Sequence, residues 1–386
     1  MKFATKAIHL GEVSLEKVKP VITPIFQTSN YALGEEVYQA FSGGREREVW
    51  VYTRHNNPTR RATEEKIAAL EGGEDALVVA SGMAALSSVF FTYLKPGDHM
   101  VTSRHLYGGS LNLIRKLREK FSIKVSFASP DDPDGIIDAS TSETKLFFFE
   151  TLSNPLLRPF LVEGVQVFAR KRGIKIVVDN TFLSPYNFNP LQHGAHLVVH
   201  SATKYLGGHS DLLGGVVVGD GDEVQRVWET YVALGPVADP LACFLLERSL
   251  KTLHVRMERH NDNALQAAEF LEAHPGVEKV IYPFLPSYPW YSYAREHFRG
   301  GGGMVTFKVK GGDKKGLEFM KKLKIIKEAA SLGGVESLVS MPFNTSHYSL
   351  SPEERKAMGI EEGTVRFSVG IEDIEDIISD LEQALR

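Results

Sequence analysis

Six short apolar runs constrain this chain more than any other feature. They are Ala76–Ala80, His99–Ser103, Lys124–Ala128, Lys145–Glu150, Ile174–Asp179 and His196–His200. Each has the length of a strand, and helix-period patterns such as Leu111–Phe121 and Val162–Arg172 lie between them. Parallel strands need long crossovers, and a helical crossover covers a sheet face, so this alternation predicts an α/β fold with a mainly parallel sheet clad on both sides. The region runs from about Arg60 to Gly219.

The flanks read differently. Pro20, Pro24, Ser42-Gly43-Gly44 and the charged cluster Arg45–Glu48 mark an extended arm that needs something to pack on. After Pro236–Pro240 a long helical pattern spans Leu241 to His274. A four-glycine loop, Gly300–Gly303, precedes apolar runs at Met304–Lys310 and Thr364–Val369 and helical patterns at Lys315–Leu323 and Glu372–Leu385. The expected division is an N-terminal arm contacting a neighbouring subunit (1–60), a large domain (61–250) and a smaller α+β C-terminal domain (251–386). At ~150 residues per domain, 386 residues agree with more than one.

Composition excludes several classes. The net charge of −4 gives no basic field for nucleic acid. The single cysteine, Cys243, rules out an internal disulfide and every CxxC motif. Met1–Leu10 has no apolar core of a signal peptide, so the expected location is cytoplasmic. Ala76–Leu94 is uncharged and nearly long enough to span a bilayer, but Ser81-Gly82 interrupts it; it reads as a buried strand, a tight turn and a buried helix, with no membrane span.

Common signatures are missing: the chain has no GxGxxG, no P-loop and no HExxH. His193, His196, His200 and His209 have no carboxylate or cysteine at ligand spacing, so no metal is expected. Ser201-Ala-Thr-Lys204 matches SxxK, but the SDN and KTG partners of that serine-nucleophile chemistry do not occur.

Lys204 has a better use. It lies just past the predicted strand ending at His200, and Asp179 ends the preceding one. Open α/β sheets bind ligands outside the carboxyl ends of their strands. A lysine there can form a Schiff base, and a carboxylate can hold a pyridine nitrogen protonated; pyridoxal 5'-phosphate requires both. Ser201 and Thr203 supply hydroxyls for a phosphate, and Ser81-Gly82-Met83 opens a helix whose N–H groups suit an anion.

The motifs then read in order as YTRHNNPT (Tyr52–Thr59), LEGGEDALVVASGMAA (Leu70–Ala85), LYGG (Leu106–Gly109), ETLSNP (Glu150–Pro155), VDNTF (Val178–Phe182), HSATKYLGGHSD (His200–Asp211), KTLHVRMERH (Lys251–His260), SLGGVESL (Ser331–Leu338) and RFSVGIED (Arg366–Asp373). Over nearly its whole length the chain resembles the Cys/Met-metabolism family of pyridoxal-phosphate enzymes. That family holds cystathionine γ-synthases, cystathionine and methionine lyases and homoserine-ester sulfhydrylases.

The resemblance implies a fold-type I PLP-dependent transferase architecture and a homotetramer built from dimers with shared active sites. It makes Lys204 the Schiff-base lysine and proton shuttle, and Asp179 the partner of the pyridine nitrogen. Gly82, Met83, Ser201 and Thr203 would hold the phosphate. Tyr107 would stack on the ring and assist at the leaving group, Asn154 would contact the ring's hydroxyl side, and both would also touch the substrate. Tyr52 and Arg54 would reach the phosphate of the neighbouring subunit. Arg366 would grip the substrate carboxylate, with Ser331 close by.

The implied activity is γ-elimination or γ-replacement on a sulfur amino acid or a homoserine ester, in transsulfuration-type methionine and cysteine metabolism and amino-acid biosynthesis. Cystathionine-handling members usually carry an acidic residue at the position of Val51 and an arginine at that of Asn112. Methionine γ-lyases typically have cysteine where Gly109 stands, and Asn112 resembles the sulfhydrylase pattern. Methionine γ-lyase and O-acetylhomoserine sulfhydrylase therefore stand beside the cystathionine γ-lyase/γ-synthase reading. A binding module that has lost catalysis is disfavoured by the intact Lys204, Asp179, Tyr107 and Arg366, and release of ammonia with a keto acid, without an amino acceptor, separates a lyase from an aminotransferase of the same fold.

Overall fold

The computed structural model describes residues 1–11, 18–345 and 351–386. The expected runs become β1 (Asp75–Val79), β2 (His99–Thr102), β3 (Lys124–Phe127), β4 (Thr144–Glu150), β5 (Lys175–Asp179) and β6 (Leu197–Ser201), and sequence reading missed β7 (Gly215–Gly219). They form one seven-stranded sheet in the order β1-β7-β6-β5-β4-β2-β3. β3, β2, β4, β5 and β6 run parallel. β7 is antiparallel to both β6 and β1, because the connection from β6 carries no helix to reverse its direction.

The central strands are apolar without interruption because helices cover both faces. Side chains alternate between two cores. Phe147, Phe149, Ile176, Val178 and Val198 enter one cluster. Leu146, Phe148, Val177, Leu197 and Val199 enter the other.

The uncharged stretch Ala76–Leu94 resolves into β1, the N-cap Ser81 and the helix Gly82–Tyr93. Among the described residues no helix is long and apolar enough to cross a membrane. The helix Pro58–Glu71 begins inside the segment read as the arm. Asn57 caps it by accepting from Thr59 N at 3.0 Å, proline occupies its first turn, and Gly72 ends it at φ 82°. Its Arg60 is buried against Glu64 at 3.2 Å.

The expected continuous helix from Leu241 to His274 is two helices, Pro240–Leu250 and Leu253–Ala273. Arg256 explains the break. Its guanidinium donates to Ser249 O at 2.8 Å and to Tyr205 O at 2.7 Å, capping the first helix and tying it to the loop after Lys204.

A second sheet contains β8 (Val277–Ile281), β9 (Met304–Val309), β10 (Lys327–Glu328), β11 (Leu338–Ser340) and β12 (Thr364–Ser368), in the order β10-β11-β12-β9-β8. The helix Ile374–Leu385 packs on it through Ile377, Leu381 and Ala384, spaced for one helical face. The first residues hold two short helices, Phe3–His9 and Glu35–Ser42, and leave Val21, Ile22, Leu33 and Tyr38 exposed.

Candidate active site

β4, β5 and β6 end side by side in Glu150, Asp179 and Ser201. Because they are parallel, their carboxyl ends open on one edge of the sheet. The loop after β6 carries Lys204. A backbone bond from Lys204 N to Ser201 O (3.1 Å) and another from Gly208 N to Lys204 O (2.7 Å) fold it into consecutive turns.

Lys204 Nζ donates to Ser331 Oγ at 2.6 Å. Burial, and then the nearby Arg366 guanidinium, lower the lysine to about 8. Ser331 has φ 89°, a left-handed conformation uncommon outside glycine. Its neighbours hold it there. Arg366 Nη2, on β12, donates to Ser331 O at 3.0 Å. Gly333 N donates to Ser368 Oγ at 2.9 Å. Gly333 must be glycine: its φ is 75°, and a Cβ would lie 2.8 Å from Tyr205 N. Arg366 is itself buried, which lowers its guanidinium to about 10, while Tyr107 and Tyr205 act in the opposite sense.

Asp179 Oδ1 accepts from Thr181 N at 3.0 Å and from Thr181 Oγ1 at 2.5 Å. Burial pushes this carboxyl up and the Thr181 donors pull it back. Thr181 Oγ1 also accepts from Ser201 N at 2.8 Å, linking the ends of β5 and β6. Next to Asp179 in register stands Glu150, which sequence reasoning quoted within a motif and gave no role. It accepts the backbone N–H groups of Tyr107 (2.6 Å) and Asn154 (3.1 Å). The available signal was positional: Glu150, like Asp179, is a carboxylate ending an apolar run. Tyr107 precedes the helix Gly108–Phe121 and leaves nearly half its surface exposed, 47%. A Cβ on Gly109 would strike the Tyr107 ring.

The helix Gly82–Tyr93 points its N-terminus at the same edge. Ser81 Oγ accepts from Ala84 N at 3.1 Å, and the first-turn N–H groups of Gly82 and Met83 have no carbonyl partner within the helix. A Cβ on Gly82 would sit 2.9 Å from Ser201 Cβ, so this helix end is pressed against Ser201. Thr203 Oγ1 accepts from Gly214 N at 3.1 Å.

Tyr52 and Arg54 make their contacts elsewhere. Arg54 Nη1 donates to Val232 O at 2.7 Å, and its guanidinium lies 5.6 Å from the centre of the Tyr52 ring. With Gln27, Ser29 and Val237 they line an open surface pocket.

The four histidines disperse. His196 Nδ1 accepts Ile176 N at 3.0 Å, His200 pairs with buried Glu71 at 2.7 Å, and His209 lies 2.8 Å from Gly207 O. His193 does gain a carboxylate, which spacing could not reveal. Glu163 lies 2.5 Å away, with His297 at 3.4 Å from the same oxygen.

The site fits a pyridine ring bearing an aldehyde, a hydroxyl and a phosphate. A lysine of lowered basicity stands beyond one strand end and a carboxylate ends the next, with a helix N-terminus beside Ser201. Asn154 Oδ1 is buried with no protein partner, as an atom reserved for a ligand would be. Fold and site together define a fold-type I enzyme dependent on pyridoxal phosphate.

The chain belongs to the Cys/Met metabolism PLP-dependent enzyme family, whose profile matches residues 4–386. It is 42% identical over 385 residues to a cystathionine gamma-lyase of Dictyostelium discoideum, covering 100% of this chain and 97% of the relative. It is 41% identical over 386 residues to an L-methionine gamma-lyase of Pseudomonas putida, again covering 100% and 97%. The crystal structure of metB from Corynebacterium glutamicum superposes with a TM-score of 0.93 at 38% identity, covering 100% of this chain and 98% of that one.

Proposed function

We propose that this enzyme acts at Cγ of a sulfur amino acid or homoserine derivative, by γ-elimination or γ-replacement in the manner of cystathionine γ-lyases and γ-synthases. The observation that carries the reading is the array of Lys204, Ser331 and Arg366, an amine of lowered basicity beside a buried guanidinium. The relatives named cystathionine and methionine gamma-lyase support the same chemistry.

Bound pyridoxal phosphate supplies an electron sink for charge that develops at the substrate's Cα. Lys204, Asp179, Ser201, Thr203, Gly82, Met83, Tyr107 and Asn154 would hold it. Arg366 presents a planar fork suited to an α-carboxylate, and burial strengthens that pairing. Burial and the Arg366 guanidinium lower Lys204 to about 8, which favours its neutral amine near pH 7 over that of an ordinary lysine. In that form it takes the Cα proton and, once it has shed it, removes one from Cβ so that the Cγ substituent can leave, while Ser331 Oγ marks one resting position of Nζ. Tyr107 acts on the leaving group at Cγ.

After the bond from Cγ to sulfur, or to the ester oxygen of a homoserine derivative, breaks and the thiol or carboxylate departs, hydrolysis releases 2-oxobutyrate and ammonia, whereas attack by a thiol gives a γ-replacement product. The shared-site homotetramer and a cytoplasmic location belong to the same reading. Tyr52 and Arg54 would complete a neighbour's site, and the exposed apolar residues of the first arm support an intersubunit contact.

The test compares 2-oxobutyrate release from L-cystathionine and L-methionine at equal concentration. Faster turnover of cystathionine supports the cystathionine-type reading despite Val51 and Asn112. Faster turnover of methionine moves the assignment to a methionine γ-lyase, and activity only with an acylated homoserine and a thiol moves it to a sulfhydrylase. Full turnover by Lys204→Ala would sink the mechanism.

A further inference from the structure

We propose that Glu150 is a positioning residue whose carboxyl sets where Tyr107 and Asn154 stand relative to Asp179. The inference rests on the reading above, in which those three residues face the cofactor.

Glu150 and Asp179 are register partners at the ends of β4 and β5. The Glu150 side chain is buried, and its two oxygens serve two different loops. Oε1 accepts from Tyr107 N at 2.6 Å and Oε2 from Asn154 N at 3.1 Å. The helix that starts after Tyr107 has no side-chain cap of its own. The anchor for the Tyr107 backbone is therefore on another strand. Asn154 is buried with its Oδ1 unpartnered, so its backbone anchor also fixes where that oxygen points.

Retaining a carboxyl here is costly. Burial first, and then the Asp179 charge, push Glu150 well above the usual carboxylate range, and only the two N–H donors offset this. An apolar residue would avoid that cost but would release both loops. The carboxyl thus links the ring-stacking tyrosine, the ring-nitrogen carboxylate and the asparagine through one rigid strand end. Misplacing a group at a reacting centre by about 1 Å can cost about 100-fold in rate.

The experiment compares Glu150→Ala, Glu150→Gln and Lys204→Ala holoenzymes. It measures cofactor loading, visible circular dichroism of the bound cofactor, kcat, KM and the thermal midpoint. Glu150→Ala should still load the cofactor, lose most of the visible dichroism and fall about 100-fold in kcat, with KM moving far less. Glutamine keeps the volume and one acceptor but turns an NH2 group toward the other N–H. It should release one loop, lose part of the dichroism and fall about ten-fold in kcat.

Wild-type dichroism and kcat in Glu150→Gln would overturn the proposal, whether or not the alanine variant folds. A rise in KM with kcat held would overturn it too. If both Glu150 variants behave as wild type while Lys204→Ala is inactive, only the role of Glu150 fails. If Lys204→Ala keeps its turnover, the cofactor reading itself fails.

Discussion

Lys204 Nζ donates a 2.6 Å hydrogen bond to Ser331 Oγ, a residue 127 positions further along the chain and held at φ 89°. The same serine gives its backbone oxygen to Arg366, so one strained residue touches both the amine and the guanidinium. Ser331→Ala should leave folding intact and lower kcat about ten-fold, because Nζ loses its parking position. Steady-state kinetics at neutral pH decide this; an unchanged kcat would leave Ser331 a spacer only.

The lowered basicity of Lys204 is also a stability statement. Its folded value, about 8, lies below the ordinary 10.5, so between those pH values the unfolded chain binds the extra proton. The chain without cofactor is therefore penalised at and below neutral pH, and the penalty disappears as pH rises through about 8 toward 10.5. Its full size is about 2–3 kcal/mol after allowance for residual solvent access. Cofactor-free Lys204→Met should melt above cofactor-free wild type at pH 7, with the gap closing toward pH 10. Equal midpoints at both pH values would refute this.

Arg366 is buried on β12, and the proposed grip on a substrate carboxylate needs its planar fork rather than a point charge. Arg366→Lys should raise KM for the amino acid by about 100-fold, since the bidentate fork is lost, with a smaller change in kcat. An unaltered KM would assign the substrate carboxylate to another group.

Gly82 touches Ser201 so closely that a Cβ would stand 2.9 Å from its Cβ and 3.0 Å from its Cα. Gly82→Ala must push the helix end away from the β6 edge, and backbone there does not yield cheaply. Cofactor affinity should drop at least about ten-fold, with ~1–3 kcal/mol of stability lost. Equilibrium dialysis of the cofactor reads the first, and retention equal to wild type would remove Gly82 from the phosphate site.

Arg54 directs its guanidinium at Val232 O rather than at the Lys204 loop of its own chain. If it serves a neighbour's phosphate, Arg54→Ala should weaken cofactor retention without lowering the unfolding free energy of the cofactor-free chain by more than about 1 kcal/mol. Unchanged retention would contradict a shared site.

The sheet strands and two of the central residues were legible in the sequence because their signals are local. An apolar run such as Leu146–Phe149 can be satisfied only between two covered faces, and a polar residue closing a run, as Asp179 does, lands at the sheet edge. β7 escaped notice because three valines between glycines carry little periodicity. The helical break after Leu250 escaped because its cause is the distant packing of Arg256 on Tyr205.

The order of apolar runs, the lysine beyond β6 and the aspartate ending β5 were determined by the sequence alone, since strand length and side-chain alternation are properties of neighbouring residues. Tertiary structure decided that Ser331 would meet Lys204, that Glu150 would hold Tyr107 and Asn154, and that Arg54 would turn toward Val232. Those contacts depend on strand register and on loops clamped across two sheets, and separation along a chain carries no distance in space once the chain has folded.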